Sequence, residues 1–330
     1  MIASRRTALA WLAALPLAAS GYEFPPVLRD DLAAFAARVA GRHGLEVAAL
    51  EEVLLEARIV PAVLRSAATP GTARPWREFR ANHVARSRVE GGVAFWSRHA
   101  DVLGRAREAH GVPESVVVAI LGVETVYGRS TGTHRVLDAL ATLGFEGGAR
   151  TAYFQSELEE FLLLGQAGAL DARGVRGSYA GAMGWPQFMP SSLRRFGVDA
   201  DGDGRADLWG SVTDITASVA NYLRAHGWRA GADVVLRARV ADPAAAAPLV
   251  AAGLRPSLDA ASLDAAGVVA ERALAPGELG ALMLFEGEAG PEYWIGLDNF
   301  HVITRYNRSQ NYAMAVWDLA RLVAAQRSPA

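Results

Sequence analysis

The chain has 330 residues, 51% of them hydrophobic, with no cysteine and a formal net charge of −2. That composition excludes wholesale disorder and leaves room for one large domain or two to three smaller ones. The missing cysteine excludes disulfides, zinc–thiolate sites and thiol catalysis, and the charge argues against nucleic acid as a partner.

Residues 1–20, MIASRRTALAWLAALPLAAS, read as a secretory leader: Arg5 and Arg6 form a basic start, and the apolar run Thr7–Ala19 is short for a membrane span. Ala18 and Ser20 suit a small-residue cleavage site, with a mature start near Gly21. The other reading is an anchor that stays uncut. No Cys follows the run, so lipidation there is excluded, and the expectation is a soluble periplasmic protein with no stable membrane span after cleavage. Without Arg5 and Arg6, 31 basic residues face 35 acidic ones, a net charge of −4. All the basic residues are Arg, which we read as coding bias.

Residues 29–66 carry apolar residues at helical spacing, including Leu32, Phe35, Ala36, Val39, Leu50, Val53, Leu54 and Ala57. A turn-rich break follows at Thr69–Arg74, then helical signal from Trp76 to His110. Pro113 opens a helix expected to reach about Tyr127 and stop near Gly128. Another helix is expected over Ala149–Leu164, then a Gly-rich aromatic loop, RGSYAGAMGWPQFMPSS (176–192), then a helix from Asp214 to His226. Past Gly231 the pattern turns to short strands at 233–240, Val268–Ala273, Ala281–Glu286 and Tyr293–Leu297, with a last helix from about Asn311. The fold class is therefore α+β and mainly helical. The divisions are a helical region at 21–110, a core at 111–231, a small β-containing insert at 232–298 and a returning segment at 299–330.

Two features carry chemistry. DADGDGRADLWG (199–210) places Asp199, Asp201, Asp203 and Asp207 at positions 1, 3, 5 and 9 of an EF-hand-like loop. Gly204 suits the sharp turn and the Arg205 carbonyl takes position 7. Position 12 is Gly210, and Asp214 lies close enough to replace the missing acid. A structural Ca²⁺ is one reading and an acidic surface turn the other. The second feature is Glu124, one carboxylate at the end of an all-apolar run, Val116–Val123. Burial raises a carboxyl pKa and suits a general acid; a Glu bonded to a helix end is the plainer reading. The 176–192 loop offers Ser178, Tyr179 and Gln187 beside Trp185, Phe188 and Met189, and the C-terminal stretch adds Tyr306, Asn307 and Tyr312. Hydroxyls, amides and flat aromatic faces together favour a saccharide cleft.

GVETVYGRSTGTHRVLDALATLGF (122–145), GSYAGAMGWPQFMPSSLRRFGVDADGDGRADLWG (177–210), SVANYLRAHGW (218–228) and NFHVITRYNRSQNYAMAVW (299–317) resemble the lytic murein transglycosylase B family. With weaker similarity from about residue 28, the resemblance spans nearly the whole expected mature chain. It implies a goose-type lysozyme-like core with an embedded EF-hand-like calcium site, and no organic cofactor. It implies cleavage of the MurNAc–GlcNAc bond of peptidoglycan glycan strands without water, leaving a 1,6-anhydro-MurNAc end, with Glu124 as acid and then base. It further implies sugar contacts from Ser178, Gln187, Phe188, Tyr222, Tyr306, Asn307 and Tyr312. Arg150 matches the second of a paired arginine whose first member is Ala149 here. Calcium ligation is implied for Asp199, Asp201, Asp203, the Arg205 carbonyl and Asp214, with Asp207 as a further direct or water-mediated ligand. Three departures bear on the cleft: Trp185 and Pro186 replace a Tyr-Gly pair, and Phe79 stands where a Tyr is expected. Two other functions stay open. A hydrolytic muramidase would need a second carboxylate, for which Glu146, Glu157 and Asp138 are candidates. A non-catalytic peptidoglycan-binding protein would need no acid at all.

Overall fold

A computed structural model describes residues 21–68 and 74–327. The leader expected over 1–20 lies outside these residues, as does most of the turn expected at Thr69–Arg74.

The first layer is a knot of short helices. Strand β1 (Tyr22–Glu23) is joined to β2 (Arg58–Ile59) through α1 (Pro26–His43) and α2 (Val47–Leu54), and the two strands pair antiparallel. The inward faces of these helices are the predicted apolar positions, with Leu32, Phe35, Ala36, Val39 and Leu50 all but fully buried. One continuous spacing thus serves several elements. Gly44 ends α1 in a left-handed cap, and Pro61 opens α3 (Pro61–Ala68). The run from Trp76 likewise divides into α4 (Trp76–His83), α5 (Arg86–Arg98) and α6 (Ala100–His110). Its breaks fall at Val84 and His99, where neither glycine nor proline marks them.

Helix α7 (Glu114–Thr125) is the axis of the core. Pro113 precedes it, and Glu114 complements its N-terminal dipole while pairing with Arg107 at 3.2 Å. Every residue from Val116 to Val123 is buried, so the helix is wrapped on all sides. Beyond it come β3 (His134–Arg135), α8 (Val136–Glu146), α9 (Thr151–Gln166), β4 (Arg176–Gly177), α10 (Pro190–Phe196) and α11 (Val212–Ala225). Strands β3 and β4 pair antiparallel and tie the loop after Glu124 to the start of the aromatic loop.

The insert is a four-stranded sheet: β5 (Val235–Val240), β6 (Val268–Ala270), β7 (Ala281–Gly287) and β8 (Gly290–Gly296), in the order β6-β5-β8-β7 with all neighbours antiparallel. Its Ala/Pro-rich connection folds into α12 (Pro243–Ala251) and α13 (Ala260–Ala265), whose first turns are capped by Asp242 and Asp259. Leu236, Leu258, Leu263, Val268, Leu282 and Ile295 form a separate small core. The chain returns through α14 (Asp298–Tyr306) and α15 (Gln310–Arg327), and α15 packs along α7, α5 and α4.

Both crossings into the sheet are pinned by one buried side chain. Asn299 accepts from the Arg229 backbone N–H at 2.8 Å and donates to the carbonyls of Arg229 and Ala232 at 2.8 and 3.0 Å. Asn299→Ala strands all three backbone groups, so a loss on the order of 3 kcal/mol is expected in urea denaturation.

Candidate active site

Helix α7 stops at Thr125, two residues short of the expected end. Val126, Tyr127 and Gly128 all adopt left-handed backbone, with φ of 52°, 60° and 83°. The first two N–H groups bond back to Gly122 and Leu121 carbonyls at 3.2 and 3.0 Å, closing the helix. A β-branched and an aromatic residue in this region cost roughly 1–3 kcal/mol each, which is why propensity pointed to a longer helix. The turn is tied to the aromatic loop on its far side. Thr125 Oγ1 donates to the Trp185 carbonyl at 2.9 Å and accepts from Gly128 N–H at 3.1 Å. Gly128 lies so close to the Trp185 ring that no Cβ fits between them.

Glu124 is half-buried at this helix end. Tyr312, from α15, donates its hydroxyl to Glu124 Oε1 at 2.6 Å. Burial pushes the Glu124 carboxyl up from an ordinary 4.5 to about 7, and the Tyr312 bond only partly opposes it. The phenols of Tyr306 and Tyr312 are held far above their usual range, by burial first and then by the Glu124 charge. Both therefore remain neutral donors.

Behind Glu124 stands an aromatic wall. The rings of Tyr312 and Tyr306 lie nearly parallel at 6.4 Å, Tyr222 is 4.7 Å from Tyr306, and Phe188 is 5.5 Å from Tyr222. Tyr306 donates to the Pro186 carbonyl at 2.8 Å and Tyr222 to the Arg305 carbonyl at 2.6 Å. Phe188, Tyr222 and Tyr312 are buried, whereas Tyr306 is partly exposed. Asn307, half-buried beside Tyr306, makes no side-chain hydrogen bond among the described residues. Ser178 Oγ accepts from Ala180 and Ala182 N–H at 3.2 and 3.0 Å, which orients it while leaving its proton for another partner. It lines an open cavity of about 470 Å³ together with Tyr179 and residues 129–134. Gln187 is itself left-handed, φ 52°, and spends its amide N–H groups on the Thr131 and Gly184 carbonyls, so its side-chain oxygen is what remains for a ligand. Arg150, on the approach to α9, is stacked over Tyr153 and Phe154 at 4.9 and 4.8 Å. Phe79 is buried and stacks on His83 at 4.0 Å.

Of the three other candidate acids, Glu146 is exposed and makes no side-chain hydrogen bond among the described residues, while the other two are committed elsewhere. Glu157 accepts from Ser191 N–H and hydroxyl at 2.9 and 2.7 Å, and Asp138 holds Arg135 and the Arg58 N–H. Among the described residues, no second carboxylate shares a hydrogen-bond partner with Glu124.

In the acidic loop, Asp199, Asp201 and Asp214 bring carboxylate oxygens within 4.8 Å of one another. Asp214 is fully buried on the first turn of α11 and accepts from Ala200 and Asp207 N–H at 2.8 and 2.9 Å. Gly202 and Gly204 take φ of 80° and 100°, which lets the loop fold back on Asp199. Asp203 and Asp207 stand outside the cluster, each in contact with the Arg205 guanidinium at 3.8 and 3.6 Å. This all-oxygen set fits a hard divalent cation. Ser211 was not singled out by the sequence: it caps α11 and donates to Asp201 at 2.6 Å. The S-x-x-D spacing to Asp214 was its available signal.

Residues 28–321 match the family model described as the transglycosylase SLT domain. The membrane-bound lytic murein transglycosylase B of Escherichia coli is 40% identical over 303 residues, covering 89% of this chain and 82% of that protein. The crystal structure of soluble lytic transglycosylase SltB1 from Pseudomonas aeruginosa superposes with a TM-score of 0.84 at 42% identity, covering 90% of this chain and 99% of that one. The Escherichia coli lytic transglycosylase Slt35 in complex with calcium gives 0.83 at 38% identity, covering 93% and 96%.

The Glu124 environment predicts a signed pH effect. Its raised pKa means that the buried proton supports the fold fully below about pH 4.5, and that this support is lost as pH rises through about 7. Glu124→Gln, which cannot ionise, is expected to gain melting temperature over the parent across that window and none below it. Tyr312→Phe deletes the bond that favours the carboxylate, so NMR titration of Glu124 is expected to give a pKa above the parent's.

Proposed function

The chain belongs to the family of transglycosylases with an SLT domain, and from that premise we propose how its residues perform the reaction. It is a lytic transglycosylase acting on peptidoglycan. The bond cut is the MurNAc–GlcNAc linkage, and Glu124 is the catalytic residue. The observation that carries this reading is a carboxyl whose pKa burial raises to about 7, donated to by one tyrosine, with Glu157 and Asp138, two of the three other candidate acids, engaged elsewhere.

At neutral pH a large share of Glu124 carries its proton and can pass it to the departing glycosidic oxygen. The resulting carboxylate, steadied by Tyr312, then takes the proton of the C6 hydroxyl on the same MurNAc. That oxygen bonds to C1 and closes the 1,6-anhydro ring. Hydrolysis needs a second carboxylate to place water, whereas a tethered hydroxyl needs only proximity. The muramidase alternative is disfavoured by the engagement of Glu157 and Asp138 in structural bonds, which leaves only Glu146, exposed at the last residue of α8. The binding-protein alternative is disfavoured by the presence of Glu124. Tyr306, Tyr312, Asn307, Ser178 and the Gln187 oxygen are the cleft groups that would bind the glycan, with Phe188 and Tyr222 behind them.

A calcium ion would be held by Asp199, Asp201 and Asp214, with the Arg205 carbonyl, Asp203 and Asp207 as the further oxygens the loop offers. Its contribution is structural: it closes the loop onto α11. Among the described residues no helix is long and apolar enough to cross a membrane. Residence in the periplasm rests on the leader-like run at 1–20.

Digestion of purified peptidoglycan should give muropeptides ending in anhydro-MurNAc, one water lighter than reducing products in mass spectrometry. Reducing ends would mean hydrolysis. Glu124→Gln should fold and lose at least about 100-fold in turnover, with the parent's kcat/KM falling as pH rises through about 7. After chelation, calcium at a hundredfold excess over Kd should stabilise the parent by about 2.7 kcal/mol, read as a rise in Tm that Asp201→Ala abolishes.

A further inference from the structure

The turn that follows Glu124 is held against its own preference, and the structure shows by what. Tyr127 is buried with its ring lodged between α5 and α7. Three glycines clear the slot. A Cβ at Gly91 would stand 3.0 Å from the ring, and at Gly92 and Gly122 it would stand 2.7 and 2.5 Å from the hydroxyl. The hydroxyl donates to the Arg88 carbonyl at 2.7 Å, and the ring stacks on Phe95 at 5.7 Å. The Arg88 side chain reaches back to the same helix end. Its guanidinium donates to the Gly122 carbonyl and to the Asn82 carbonyl, the latter at 3.0 Å. Residue 88 thus grips the chain two residues before Glu124 and three residues after it.

We propose that Tyr127 and Arg88 are positioning residues for the lone acid, a role that rests on Glu124 being catalytic. They hold Val126 and Tyr127 in left-handed backbone and so keep the 125–128 turn against Trp185. Without the clamp, the cheaper conformation for both residues is a continuation of α7. That continuation would withdraw Gly128 from the Trp185 ring and from its bond to Thr125 Oγ1. It would admit water to Glu124 and misplace its carboxyl relative to Tyr312. Neither Tyr127 nor Arg88 touches the glycan in this scheme. The three glycines belong to the same device, since each leaves room for the phenol.

The test is steady-state kinetics of the full chain on a soluble GlcNAc–MurNAc oligosaccharide, with folding followed by circular dichroism. Tyr127→Phe keeps the ring and deletes the bond to Arg88. It should remain folded, lose roughly 10–100-fold in kcat with KM within about twofold, and show its alkaline limb at lower pH than the parent. Adding Val126→Gly, which accepts left-handed backbone without strain, should recover a large part of the lost kcat. Tyr127→Phe activity within twofold of the parent overturns the proposal. So does a loss that simply follows the folded fraction and is not relieved by Val126→Gly. Full activity of Glu124→Gln on the same substrate would instead overturn the single-acid reading beneath it.

Discussion

A carboxyl group that must keep its proton near neutral pH cannot be well solvated, and most of this molecule's core serves that constraint. Helix α7 is apolar on every face, so its only stable place is the centre of a helical bundle. That placement carries Glu124 to the bundle's edge, where one end of the side chain remains open. Burial alone would leave the group too reluctant to ionise in the second half of the proposed reaction. The Tyr312 hydroxyl supplies a donor that favours the carboxylate without bringing in a cation. The balance falls near 7, where giving and taking a proton are comparably easy.

The rest of the site is built outward from that helix end. The aromatic wall gathers Phe188, Tyr222, Tyr306 and Tyr312 from different parts of the chain; two of its three hydroxyls are anchored on the carbonyls of Pro186 and Arg305, and the third is given to Glu124. The Trp185–Pro186 pair serves this packing: Trp185 covers Gly128, and Pro186, which has no N–H to donate, offers its carbonyl to Tyr306. The acidic loop and α11 form a separate strut, joined through the buried carboxylate of Asp214.

What could be read from sequence divides along physical lines. Alternating aspartates with Gly204 suggest a cation loop from sequence because the chemistry is local, and the structure brings Asp199, Asp201 and Asp214 together. The mainly helical class follows from spacing, and the short strands of the insert from their turn residues. Helix α8 went unread because Val136–Gly144 is almost uniformly apolar and shows no period. The breaks at Val84 and His99 left no trace because tertiary packing, rather than glycine or proline, makes them. The turn at Val126–Tyr127 opposes local propensity, so only a structure exposes it. The contact between Glu124 and Tyr312 spans 188 residues. No spacing argument reaches that far: residue types offered Tyr312 as a cleft candidate, but nothing in the sequence paired it with Glu124.

That long separation has a consequence for when the enzyme becomes active. The chain is made from its N-terminus, and the acid emerges well before the tyrosine that completes its environment. Between them lies the whole β-sheet insert, and Tyr312 reaches Glu124 only when α15 docks along α7. A partly made chain therefore carries Glu124 without the Tyr312 donor or the aromatic wall. On the proposed mechanism, cutting activity against a load-bearing polymer is the last property the molecule acquires, because it waits for the final helix to close the bundle.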